Sequence, residues 1–379
     1  GGWFLPVIML ILSCFLSSPF ASDPPASPAF HPLQVPVDIP KTKWDLWKNG
    51  TTLRGANIYQ RRVFPSLDGL EFLGPGPMGP PYTQEDLNEL AAWGANYVNI
   101  SYSGLFRVDP PYDVDPGVQK NLDDLLEKIV KADLFAVLSF RSGPGRSDLA
   151  LFYWDSLDKR YFNDKVWNSP AAQDAWVQMW RYTAARYRNQ PDTLSFELLN
   201  EPTDQLTAAR WNDFLAQGIR AIRETNPYRV LIVGTAEWGG LRALPALELP
   251  EDDRHLVVTF HYYEPFAFTH QGAEWVNNSD PWLGTTWEGS PVQQQAVAAD
   301  LDRAAEWAAV RNRPLYMGEF GAYRKADMES RVRWTAFVAR AAEARWISWA
   351  YWEFCSGFGA YDADGDSWRQ PLLDALNPR

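Results

Sequence analysis

The chain has 379 residues and a formal net charge of −12. That length suits one large α/β barrel better than a single sandwich, and it buries a substantial core. The acidity excludes a duplex nucleic-acid partner, which needs a basic stripe, and serves solubility instead.

Residues 1–22 hold an apolar run from Trp3 to Leu12, and DPPASPAFHP follows directly. This reads as a secretory signal-like segment, then a Pro-rich linker over 23–43, then one folded body over 44–379. The run is too short to span a bilayer. Secretion or release into a periplasm is expected, with a lipid anchor on Cys14 of ILSC as the alternative. Beyond the leader only Cys355 remains, which excludes an intrachain disulfide in the processed chain and a cysteine-rich zinc site.

Strand-like runs then alternate with helical patterns. The runs are LRGANI (53–58), YVNIS (97–101), FAVLSF (135–140), TLSFELLN (193–200), RVLIVGT (229–235), LVVTFHYY (256–263), PLYMGEF (314–320) and WISWAYW (346–352). Helical periodicity falls at 83–93, 118–132, 171–187, 207–225, 292–310 and 327–344. Several runs are apolar on both faces, as strands are when helices cover one side and a packed interior the other. The pattern predicts a (β/α)₈ TIM barrel. An open doubly wound sheet is the rival, but no GxGxxG follows the first strand and no Walker lysine motif occurs. No cofactor is expected, and with four histidines a metal-dependent hydrolase is a poor fit. DADGD (362–366) lacks the glycine position and closing Glu of a calcium loop.

In a barrel, the loops after the strands form the face where sites are built. Glu201 follows the fourth run and Glu319 ends the seventh. Strands four and seven face each other across a barrel mouth, so the two carboxyls converge on one cleft. A pair of carboxyls across a cleft is what glycosidic cleavage needs: one protonates the leaving oxygen, the other meets the charge developing at the anomeric carbon. Asn200, beside the first, is placed to donate to a sugar 2-hydroxyl. The chain also carries 19 Trp, 16 Tyr and 20 Phe, which serve either as core or as stacking platforms for sugars. Trp154, Trp238, Trp282 and Trp287 fall in or near loops after strands, with Trp238 and Trp287 favoured as platforms.

These motifs, in this order, resemble glycoside hydrolase family 5, within the clan of retaining (β/α)₈ hydrolases that includes many cellulases. The likeness runs from about Leu53 to Trp368. LLNEP resembles the acid/base motif, with Asn200 and Glu201 on its pair. HYY resembles a His-x-Tyr motif, with His261 and Tyr263 matching. YMGEFG resembles the nucleophile motif, with Glu319 as nucleophile, and Trp352 matches the platform under the sugar at the cleavage point. The resemblance implies a double displacement with carboxyls roughly 5–5.5 Å apart. It also implies that Tyr263 bonds Glu319 and that His261 serves Glu201. Two positions depart from the family. Asn99 stands where the second strand usually ends in an arginine, and is taken as a substrate-binding candidate. Arg141 stands where the third usually ends in a histidine, and is expected to supply the missing cation to Glu319 through paired hydrogen bonds.

The favoured activity is an endo-β-1,4-glucanase acting on a plant-type polysaccharide or oligosaccharide, with no protein partner implied. β-Mannanase, xyloglucanase, β-1,3-glucanase and exo-acting glycosidase are alternatives within the class. A carbohydrate-binding protein on the same fold, or a cell-surface domain without a deep cleft, are alternatives outside it.

Overall fold

The computed structural model describes residues 54–63, 78, 81–150, 154–155, 160–161, 164–203, 205–354, 357–362 and 367–377. The leader, the linker, Cys355 and most of DADGD lie outside the described residues. Among those described, no helix is long and apolar enough to cross a membrane.

The strands are β1 (Arg54–Gln60), β2 (Tyr97–Tyr102), β3 (Phe135–Phe140), β4 (Leu194–Glu197), β5 (Leu231–Val233), β6 (Leu256–Tyr262), β7 (Leu315–Phe320) and β8 (Ser348–Tyr351). They form a closed barrel in chain order. Every pairing is parallel, and β1 closes on β8 with Arg54 beside Trp349. The main helices are α1 (Gln84–Ala92), α2 (Pro116–Lys131), α3 (Pro170–Arg186), α4 (Ala208–Arg223), α5 (Pro291–Arg311), α6 (Met328–Glu343) and α7 (Gln370–Leu376). Between β5 and β6 a short turn, Ala236–Gly239, and a 3₁₀ segment, Leu241–Ala246, take the place of a long helix.

Local chemistry sets these boundaries. Asp115 caps α2 by accepting from the Gly117 and Val118 amides, and Pro116 occupies the first turn, where a missing N–H costs nothing. Ser290 and Gln293 form a reciprocal capping box on α5. Helix α2 buries Val118, Leu122, Leu125, Leu126 and Ile129, the three-and-four spacing that lays one apolar stripe on a sheet. Inside the barrel, the lowest level is an apolar plug of Tyr97, Val137, Val230, Ile232, Val257, Tyr316 and Ala350. Outward residues of the same strands, such as Ile100, Leu138 and Phe196, join the helices in the main core.

The fourth run is shorter than its apolar sequence predicts. Strand β4 stops at Glu197, because the next residues find other partners. The Leu198 carbonyl accepts from the Trp176 and Trp180 indoles at 2.9 and 2.6 Å. The Asn200 amide donates to the Phe140 carbonyl at 2.9 Å.

Candidate active site

The ends of β4, β6 and β7 bring Glu201, His261, Tyr263 and Glu319 together. One oxygen each of Glu201 and Glu319 and one ring nitrogen of His261 lie within 4.8 Å of one another. His261 Nδ1 sits 2.7 Å from Glu201 Oε1 and 3.4 Å from Glu319 Oε2. The Tyr263 hydroxyl donates to Glu319 Oε2 at 2.8 Å. These atoms are the donor set a cation would choose, but they already serve as hydrogen-bond partners for one another.

Arg141 reaches the nucleophile position as expected, with one difference. A single nitrogen, Nη1, makes the contact to Glu319 Oε1 at 3.4 Å, and the same nitrogen donates to Ser101 Oγ at 2.9 Å. The expected pair of bonds to the carboxylate is therefore replaced by one shared nitrogen. The guanidinium lies over two neighbouring rings, 5.0 Å from Tyr59 and 4.9 Å from Trp352, which are themselves 5.6 Å apart. These faces hold a cation without competing for its donors.

Glu201 adopts a left-handed backbone, with φ of +50°, a conformation that costs a non-glycine residue about 1–3 kcal/mol. Arg146 holds it there. Its two terminal nitrogens donate to the Asn200 carbonyl at 2.8 Å and the Glu201 carbonyl at 2.9 Å. Arg146 is itself fully buried, with Asp164 at 3.7 Å. Asn200 keeps its side-chain Nδ2 buried and without a protein partner among the described residues, leaving a donor for a ligand hydroxyl.

Burial is the largest influence on both carboxyls and pushes each upward. At Glu201 the His261 bond and charge override it, and the carboxyl falls below its ordinary range. At Glu319 burial and the Glu201 charge outweigh His261, Arg141 and Tyr263, and the carboxyl rises. For His261, burial opposes the charge, yet the surrounding carboxylates raise the imidazole to about 9. In the free protein, the transferable proton of the Glu201–His261 pair thus rests on the imidazole side of a 2.7 Å contact.

The site opens into a cleft of about 1230 Å³, lined among others by Tyr59, Trp352, Trp238, Phe266, Val292 and Arg303. Trp352 forms its floor beside Arg141. Trp238 is half-buried on the cleft wall; its own amide donates to the Pro202 carbonyl at 2.8 Å. Two predicted substrate-binding residues, one platform and one polar candidate, sit differently from expectation. Trp287 borders the cleft but is only 1% exposed, packs on Phe337 at 5.8 Å and donates its amide to Ser330, so most of its ring is given to packing. Asn99 is buried in the barrel and points its amide at the Gly318 carbonyl, 3.4 Å away, instead of lining the cleft. Trp282 packs on Phe266 at 5.9 Å. Trp154 lies in a two-residue ribbon paired with Arg160–Tyr161, and its side chain lies outside the described residues.

A closed (β/α)₈ barrel whose facing strand ends present two carboxyls this close defines a retaining glycoside hydrolase, since an inverting pair stands roughly 6.5–9.5 Å apart. The chain belongs to the cellulase family, glycosyl hydrolase family 5, whose model matches residues 57–357. It is 28% identical to Endoglucanase C of Acetivibrio thermocellus over 324 residues, covering 78% of this chain and 91% of that protein. Endoglucanase H of the same organism is 35% identical over 188 residues, 49% of this chain but 19% of its own length. The crystal structure of endoglucanase Cel5A from Thermotoga maritima superposes with a TM-score of 0.74 at 36% identity, covering 88% of this chain and 99% of that one.

Two contributors escape a reading of the sequence alone. Arg146 sits in RSGPGRSD as one polar loop residue among several, and only the fold turns it back under Glu201. His270 packs edge-on to Tyr263 at 4.8 Å and on Phe266 at 4.2 Å; burial pushes its imidazole down to about 3. It acts as a neutral wedge that fixes the Tyr263 ring.

Proposed function

We propose that the protein is an endo-acting retaining β-1,4-glucanase, with Glu319 as nucleophile and Glu201 as acid/base. The observation that carries this reading is the 4.8 Å grouping of Glu201, His261 and Glu319 in a cleft of about 1230 Å³. Trp238, Val292 and Arg303 also line this cleft, and lining beyond the catalytic group suits binding a chain for internal cutting. Endoglucanase C and Endoglucanase C307, each matching 78% of this chain, support β-1,4-glucan as substrate.

In the first step a Glu319 oxygen attacks the anomeric carbon and the glycosidic C–O bond breaks. The leaving oxygen takes the proton held by the Glu201–His261 pair. Tyr263 and Arg141 orient the Glu319 carboxylate for attack, and Asn200 Nδ2 bonds the 2-hydroxyl, a contact that strengthens as the ring flattens. In the second step the Glu201 carboxylate, its pair with His261 now one proton short, takes a proton from water. The oxygen of that water attacks the anomeric carbon, and the ester bond to Glu319 breaks. Trp352 offers a flat apolar face beneath the sugar.

β-Mannan is the second reading, favoured by likeness to Thermotoga maritima Cel5A solved with mannotriose, at 37% identity and a TM-score of 0.73. Product profiling on carboxymethyl-cellulose, mannan, xylan, xyloglucan and mixed-linkage glucan decides between them. Rapid viscosity loss on a β-1,4-glucan is expected. Glu201→Ala and Glu319→Ala should each lose about 10⁴-fold in kcat; turnover retained in both would overturn the assignment. Export on the leader-like segment over 1–22 is part of the same proposal, and activity confined to unprocessed, cytosolic protein would refute it.

A further inference from the structure

Between the apolar plug and the catalytic level, the barrel holds a polar layer that the mechanism above does not use. Asn57, Asn99, Ser139, Glu197 and Thr259 are all buried there. Glu197 on β4 lies beside Ser139 of β3 in register. Two glycines keep the space among these groups open. A Cβ at Gly234 would lie 3.8 Å from Glu197 Oε1 and 3.5 Å from Thr259 Cγ2. One at Gly318 would lie 2.7 Å from Thr259 Oγ1 and 3.5 Å from His261 Nε2. The far nitrogen of the imidazole that holds Glu201 thus faces the layer containing Glu197. Ser139 bonds the Glu197 carboxyl, while Ser195 Oγ and Thr259 Oγ1 are buried without hydrogen-bond partners among the described residues.

The groups whose charge Glu197 feels come from several elements. They are His261 of β6, Glu319 of β7 and Glu201 after β4. Tyr316 of β7 and Tyr97 of β2, bonded to each other through their hydroxyls, feel Glu197 from below. A buried carboxyl is a costly choice for a barrel interior, where an amide or an apolar group packs without that penalty.

We propose that Glu197 is a positioning residue whose charge, from beneath His261, retains the transferable proton on the His261–Glu201 pair and so extends turnover to higher pH. This rests on the reading of Glu201 as the acid. The balance is simple. The pair carries one proton between Nδ1 and Oε1, and losing it to solvent ends acid catalysis. An anionic neighbour makes that loss harder; a neutral one does not. Burial raises Glu197 to about 7 against the pull of His261. It is therefore neutral in the acid range and charged where the pair begins to lose its proton.

The test is the pH profile of kcat/KM, which reports the free enzyme, for wild type and Glu197→Gln on a soluble β-1,4-glucan. The alkaline apparent pKa should fall by about one unit, while the acidic limb keeps its position. A role confined to packing would scale the whole profile and leave both limbs in place, and that result overturns the proposal. If the variant does not fold, the wild-type imidazole nitrogen spectra decide. The His261 signals should move in two steps, one of them near pH 7, and a single step at higher pH would refute the coupling. Glu201→Ala separates the two ideas. If it retains turnover, the acid assignment itself fails; if it is inactive while Glu197→Gln leaves the limbs unmoved, only the role of Glu197 falls.

Discussion

Glu319 must be ionised to attack, yet burial and the Glu201 charge push its carboxyl above the ordinary 4.5. Activity therefore falls as pH drops through that raised value, and the acidic limb of kcat/KM belongs above 4.5. Removing Arg141 takes away a cation that opposes the shift. Arg141→Ala should move the acidic limb further up and lower kcat by about tenfold or more; a loss below about threefold would leave Arg141 a mere wall of the cleft. The place of this cation was legible in FAVLSFRSGPG, because a cation missing at Asn99 and gained at Arg141 implied a transfer between adjacent strand ends. Its single-nitrogen contact was not legible, since Ser101, Tyr59 and Trp352 shape it from three other strands. Trp287 shows the same limit: an aromatic residue after a strand reads alike whether its loop opens to solvent or folds onto Phe337.

At the scale of elements, the eight strands and main helices were legible because period and caps agree along the whole chain. The end of β4 was not. Its apolar sequence continues while tertiary partners, two indoles and a buried arginine, draw the backbone away. Helix α4 fixes that departure from outside. A Cβ on its Gly218 would lie 2.5 Å from Leu198 Cδ1. Alanine in a helix ordinarily gains up to about 1 kcal/mol over glycine, but overpacking here costs about 1–3 kcal/mol. Gly218→Ala should thus lower Tm, and kcat should fall with it, because Leu198 leads directly into the acid. A raised Tm with unchanged kcat would show that helix and loop move independently.

For the whole molecule, the buried site couples stability to pH. Glu197 rises from 4.5 to about 7, so between those values the folded protein holds a proton that the unfolded chain has released. Stability then falls as pH rises through this window, by about 3 kcal/mol for this group. His261 rises from 6.5 to about 9; its contribution is full below 6.5 and is lost as pH climbs through 9. Thermal unfolding between pH 5 and 9 should show Tm declining, with a shallower decline below pH 7 in Glu197→Gln. A flat curve in the wild type would mean that these groups titrate as they do in the unfolded chain. The amide of Trp238, bonded to the Pro202 carbonyl, ties the remote wall of the groove to the peptide immediately after the proton donor. A sugar unit placed on that indole would therefore steady the donor's own backbone. Lengthening an oligosaccharide until it reaches Trp238 should speed bond breaking as well as tighten grip, visible as kcat climbing with chain length; a change in KM alone would show that the two ends of the groove work separately.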